Sequence, residues 1–303
     1  MTIDASSVAS DIGVDKARQK LVNDAVKEIN HIATLPELTL KIIKLVENPD
    51  STARDLNRII SNDPALGARI LKVVNSAFYG LPGQIGSINR AIILLGLNAV
   101  KNIAIAASLA KLFRGGQICP GFNAKDLWLH SIAVAAGTKQ LSDRLLLGLS
   151  GEAFLAGLIH DLGIMVEIQT RRAQFVEAFA RFNKDDFLTL RQAEELVVGA
   201  THEEFGSALC KLWKFPDSLK HVTGFHHRPM ELAAGHRTLT GLVHVADIVA
   251  ARTKVGFTGS VEFVQPSPEV CEELKLTPDI VEEVVRVLPR AMEETDHLFR
   301  AAA

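Results

Sequence analysis

Phe154-Leu155-Ala156-Gly157-Leu158-Ile159-His160-Asp161-Leu162-Gly163 puts an imidazole and a carboxylate directly after six residues that carry no polar side chain. Such a run reads as a buried segment. A buried charge needs a partner, because taking an unpaired ion out of water is costly. A metal ion is one such partner, and a hydrogen-bonded core pair is another. The dipeptide alone does not choose between them, so the choice rests on what else the chain offers.

Moving outward, polar residues of the same kind recur in apolar surroundings. His130 closes Trp128-Leu129-His130 in a helical pattern upstream. Thr201 and Glu204 form a capping-box pattern, which places His202 in the first turn of a helix. His226-His227 precede Arg228-Pro229; proline disfavours continued helix, so this pair sits at a helix end. Asp247 lies within Val243-His244-Val245-Ala246-Asp247-Ile248-Val249, otherwise an apolar face. Taken singly, each of these fits a satisfied core residue. Five imidazoles and two carboxylates together form a mixed N/O donor set. That set suits iron or manganese first, and nickel or zinc next, better than calcium or magnesium. His244 shares a face with Asp247 and is an alternative ligand. His221 and His236 read as surface or hydrogen-bonded residues, and His31 and His297 have no polar constellation near them.

Periodicity is helical almost throughout, and the fold class is all-α. Four regions are expected: a lead-in helix over 1–24, an N-terminal helical unit over 25–115, a unit carrying the His/Asp set over 116–255, and a helical extension over 256–303. The break between the middle two is Gly115-Gly116 to Pro120-Gly121. Asp63-Pro64 starts one helix, and Asp50-Ser51-Thr52 looks like a cap. A single helix is expected over Glu152–Gln169, and two or three amphipathic helices after Pro266. Val261-Glu262-Phe263-Val264 is the one hint of a strand.

Composition narrows the partners. A hydrophobic fraction of 48% supports a real core, and a net charge of −2 provides no overall field for nucleic acid or anionic lipid. Arg54, Arg58, Arg69 and Lys72 fall on two adjacent helices, but Asp55 and Asp63 dilute them and Leu56, Ile59, Leu66 and Ile70 call for packing. A solvated helical face is therefore expected there rather than contact with DNA. Lys101, Lys111 and Arg114 read as surface charge. Cys119, Cys210 and Cys271 are far apart, with no CxxC pair, so neither a disulfide framework nor a zinc ribbon is indicated; Cys210 reads as core. A cytoplasmic location is expected: the N-terminus lacks the apolar region of a signal peptide, and no apolar run reaches the length of a membrane span.

The ordered set His130, His160-Asp161, His202, His226-His227, Asp247 resembles the HD superfamily of metal-dependent phosphohydrolases. It is most similar to the HDOD branch, the HD-related output domains of bacterial signalling proteins. Leu35-Pro36, Ser61-Asn62-Asp63-Pro64-Ala65-Leu66, Asn75-Ser76-Ala77-Phe78-Tyr79-Gly80 and Leu94-Leu95-Gly96 carry that likeness, as do the Trp128 and His160 motifs. It covers about residues 25–255. The resemblance implies an HD-type helical bundle with one or two metal ions, one taken by His130, His160, Asp161 and Asp247, the other by His202, His226 and His227. Asp161 would bridge the two and is the candidate catalytic residue. An acidic residue at Asp126 adds a ligand in some relatives; here a salt bridge is expected.

Many HDOD domains lack several of these ligands, whereas this sequence keeps the full set. The cyclic-dinucleotide phosphodiesterase branch, HD-GYP, carries a lysine where Ile164 stands and a Gly-Tyr-Pro segment where the chain reads His227-Arg228-Pro229-Met230-Glu231. The resemblance therefore implies a signalling or regulatory output module with a protein partner, and a nucleotide as a second candidate ligand. The alternative is a phosphohydrolase or phosphodiesterase acting on a nucleotide-type phosphoester.

Overall fold

The computed structural model describes residues 5–32, 37–48, 50–76, 79, 81, 83–113 and 116–300. Leu35-Pro36, Ala77-Phe78, Gly80, Arg114 and Gly115 lie outside the described residues, as do the side chains of His31, Lys111 and His297.

The N-terminal part is helical: α1 (Ala5–Ile32), α2 (Glu37–Glu47), α3 (Ala53–Ile60), α4 (Pro64–Val74), α5 (Ile88–Leu95) and α6 (Leu97–Leu109). Local chemistry sets these starts. Thr52 and Asp55 form a reciprocal capping box at α3. The Asp63 side chain accepts from Leu66 N at 2.9 Å at α4, with Pro64 as its first residue. Leu56, Ile60, Leu66 and Ile70 are buried, so the stripe on α3 and α4 packs inward, as read from the sequence. Lys101 departs from expectation. It is buried rather than on the surface, and its Nζ donates to Leu45 O and Ser51 Oγ, both at 2.5 Å. This long side chain thus satisfies a carbonyl at the end of α2, which no sequence period announces.

A short antiparallel pair, β1 (Gln117–Cys119) and β2 (Phe122–Asn123), turns at Pro120-Gly121, where Gly121 has φ of 84°. The second part follows: α7 (Ala124–Arg144), α8 (Ser150–Ile159), α9 (Leu162–Thr170), α10 (Arg172–Phe182), α11 (Leu190–Val197), α12 (His202–Leu212), α13 (Asp217–Phe225), α14 (Arg237–Arg252), α15 (Pro268–Leu274) and α16 (Pro278–Arg300). The fold is all-α. No helix among the described residues is long and apolar enough to cross a membrane.

Helix α7 lies at the centre, packed against α8, α14 and α16. Helix α1 runs without a break through position 24 and packs on α9 and α12 through Val22, Ala25, Val26 and Ile29. Val261–Val264 forms no strand. Phe257 N, four residues earlier, donates to Asp126 O at 2.8 Å, which ties this segment to α7 instead of to a sheet. Two glycines of the opening motif allow the approach of helices around it. A Cβ on Gly157 would lie 2.7 Å from Ala135 Cα, and one on Gly163 would lie 1.8 Å from His202 O.

Candidate metal centre

The helix expected over Glu152–Gln169 is broken at its middle. His160 ends α8 and Asp161 precedes α9 with φ of −94° and ψ of 17°, outside helical geometry. The Asp161 carboxylate does not cap α9; it turns toward imidazoles from other helices. His130 comes from the middle of α7, His202 from the first residue of α12, His226-His227 from just past α13, and Asp247 from α14. All seven are buried, with exposures from 0% to 4%.

Asp161 lies between two groups. Its Oδ2 is 3.3 Å from His160 Nε2 and 3.7 Å from His130 Nε2. Its Oδ1 is 3.3 Å from His226 Nε2 and 3.6 Å from His202 Nε2. Asp247 Oδ1 is 3.0 Å from His130 Nε2 and 3.7 Å from His160 Nε2. His227 Nε2 lies 3.0 Å from His202 Nε2.

The outer nitrogens decide what the inner ones can do. His160 Nδ1 donates to Gly157 O at 2.8 Å, and His226 Nδ1 donates to Val222 O at 3.3 Å. A carbonyl only accepts, so both protons sit on Nδ1. His202 Nδ1 donates to the Glu194 carboxylate at 2.8 Å. In the neutral rings Nε2 is then a bare lone pair, and these lone pairs face one another and the carboxylate oxygens. His226 Nε2, Asp161 Oδ1 and Asp247 Oδ1 have no hydrogen-bond partner among the described residues although they are buried. Lone pairs converging without protons between them repel unless a cation lies among them. The donor set therefore fits a transition-metal ion, bound by imidazole Nε2 and carboxylate oxygen. His130, His160 and Asp161 form one group that could hold an ion, and Asp161, His202, His226 and His227 form another.

Protonation in the metal-free site follows the same geometry. Burial by itself would lower the pKa of His202, but Glu194 and then Asp161 carry it up to about 10. His160 is likewise pulled down by burial and raised overall by Asp161. Burial would raise the Asp161 carboxyl, yet His160 and its neighbours hold it well below the usual range. His227 stays neutral, pushed down by burial and by His226 and His202. Without metal, shared protons take over part of a cation's role.

Three supporting residues are not apparent from the sequence. Glu194 is wholly buried on α11, and besides His202 Nδ1 it accepts the His202 backbone N–H at 2.9 Å. Such a carboxylate behind a ligating imidazole fixes its tautomer and raises its basicity. Ser260 Oγ donates to Asp161 Oδ2 at 2.9 Å, from the segment expected to be an extension. Glu167, buried on α9, finds no hydrogen-bond partner among the described residues. A buried glutamate in the sequence looks like any other; Glu194 and the half-exposed Glu195 differ only in the face they take.

Other expected residues stand apart. His244 donates from Nδ1 to His226 O at 2.8 Å, so it props a site residue rather than joining the group. Asp126 is exposed and, among the described residues, makes no ion pair; its place in the first turn of α7 favours it through the helix dipole instead. His221 and His236 pack ring to ring at 4.7 Å, away from the centre. Cys210 is core as expected, its thiol pushed up to about 12 by burial.

An all-helical bundle with a buried cluster of five histidines and two aspartates is the class that fold and site define. The chain belongs to the HDOD domain family, whose match spans residues 32–229 and so takes in all the cluster except Asp247. It is similar to an HDOD domain protein of unknown function from Geobacter sulfurreducens, with a TM-score of 0.77 and 24% identity, covering 93% of this chain and 98% of that one. A candidate phosphohydrolase from Shewanella amazonensis SB2B gives a TM-score of 0.70 at 23% identity, covering 90% and 97%. A candidate signal transduction protein from Marinobacter aquaeolei VT8 gives 0.74 at 24%, covering 95% and 66%. At these identities the likeness is one of fold. A protein of Treponema pallidum (strain Nichols) is 24% identical over 251 residues, which cover 82% of this chain; the chain spans 47% of that relative's length.

Proposed function

We propose that this chain is a signalling or regulatory HDOD protein whose His/Asp centre holds one or two transition-metal ions, iron or manganese first, and which acts as an output or interaction module on a protein partner. The observation that carries the metal is the convergence of imidazole Nε2 atoms on Asp161, with three of the rings, His160, His202 and His226, held by an outer hydrogen bond from Nδ1. The observation that favours a module over an enzyme is burial. His227, at 4% exposure, is the most open of the seven, so a phosphoester would have to displace packed structure to reach them.

The second reading is a metal-dependent phosphohydrolase, with Asp161 as the central residue. It draws support from the split of the Asp161 oxygens between the two groups. Two ions so placed would activate a water and clamp a phosphoryl oxygen. Elemental analysis of protein purified without chelators, beside Asp161→Ala, tests the shared premise. About two transition metals per chain, lost in the variant, are expected. No metal in either protein, even after metal is added back, would refute both readings. Turnover of a nucleotide panel by the loaded protein, with no partner captured, would favour the second over the first.

A further inference from the structure

The N-terminal ends of α6 and α8 meet. A Cβ on Gly151 would lie 3.0 Å from Ala99 Cα, so the missing side chain lets the two first turns touch. The same four residues, Leu-Leu-Gly-Leu, lead into both helices, at 94–97 and at 146–149. The glycine is at positive φ in each, 88° at Gly96 and 69° at Gly148. No side chain caps either helix. Contact between two helix N-termini joins two ends of positive polarity, and first-turn N–H groups remain there as donors.

A cleft of about 510 Å³ opens at this junction, lined by Leu95, Leu97, Asn102, Leu149 and Glu152 among others. Asn102 is only 8% exposed, and its amide has no partner among the described residues. Its polar atoms are not sealed inside the protein but open on the cleft, so this group is suited to an external ligand. Glu152 accepts from Ser218 Oγ at 2.7 Å and pairs with no cation among the described residues. The cleft thus offers donors for an anion at the helix ends and Asn102, an acceptor for a cation at Glu152, and leucine side chains beside them.

We propose that this cleft binds a free α-amino acid with an aliphatic side chain. The carboxylate lies on the helix N-termini and the Asn102 amide, the ammonium group on Glu152, and the side chain against Leu95, Leu97 and Leu149. Because α6 belongs to the N-terminal part and α8 to the part that carries His160, the ligand joins the two. The site stands independently of the metal reading.

Isothermal titration of the full chain with L-leucine tests this, beside 4-methylpentanoate, which lacks the ammonium, and 3-methylbutylamine, which lacks the carboxylate. Leucine is expected to bind one per chain, and each analogue at least about tenfold more weakly. Glu152→Gln should bring leucine down to the level of 4-methylpentanoate. Asn102→Leu should weaken leucine about tenfold; if that variant fails to fold, Asn102→Asp, which sets a carboxylate against the ligand's own, gives the same readout. Asp161→Ala should still bind leucine one per chain, separating this site from the metal centre. No binding at about 10 mM leucine, analogues that bind as well as leucine, or unaltered binding in folded Glu152 and Asn102 variants would overturn it.

Discussion

Glu167 shows how much one buried proton can matter. It is fully buried, and burial followed by the charges of Glu194 and Asp161 pushes its carboxyl well above the usual range. The sign is fixed by linkage. A carboxyl whose folded pKa is raised favours the fold below its unfolded value of about 4.5, and that contribution is lost as pH climbs toward the folded pKa. Each pH unit inside that window costs the fold about 1.4 kcal/mol. Glu167→Gln keeps the shape and removes the titration. In metal-free protein its denaturation midpoint should therefore exceed that of the unaltered chain by a margin that widens between pH 5 and pH 8. A margin constant across that range would show that Glu167 does not carry the raised pKa. None of this is visible in the sequence, where Glu167 follows Ile164-Met165-Val166 as an ordinary helical residue. The seven site residues, by contrast, stood out because each interrupts an apolar run or marks a helix end.

At the scale of elements, the helices were readable because their apolar stripes and caps are local. The break between α8 and α9 was not, since neither proline nor glycine stands at His160-Asp161. It is set by what Asp161 faces, which is a tertiary matter. The motif's glycines belong to this scale too. Gly163 faces the His202 carbonyl so closely that any side chain must separate α9 from α12. Overpacking of this kind costs about 1–3 kcal/mol and more where backbone cannot yield. Gly163→Ala should therefore lower the melting temperature by about 2–5 °C or more. It should also weaken metal binding, because it displaces His202 from Asp161. Calorimetry and metal content on the same sample check both effects. A variant with native melting and full metal would mean that α9 and α12 pack more loosely than the glycine contact requires.

On the scale of the whole molecule, the site draws ligands from α7, the α8–α9 junction, α12, the end of α13, and α14. An ion held there ties together elements that lie far apart in the chain, and it stabilises the fold by mass action. Free metal at a hundredfold its dissociation constant is worth about 2.7 kcal/mol, or about 4 °C in melting temperature for a chain of this size. Chelation should reverse that shift in the unaltered protein and leave Asp161→Ala unmoved. Where the loss is felt bears on the proposed signalling role. Helix α1 packs on α9 and α12, and α6 packs on α8, so these two N-terminal helices touch ligand-bearing elements directly. Arg18 on α1 also donates to Glu204, the capping residue of the helix that begins at His202. Hydrogen exchange after chelation should then rise in α7 and α12–α14, and also in α1 and α6, while α3 holds its protection. Exchange that rises only in the ligand-bearing helices would leave the metal centre without a route to the N-terminal helices, and an output module would then have to signal through another face.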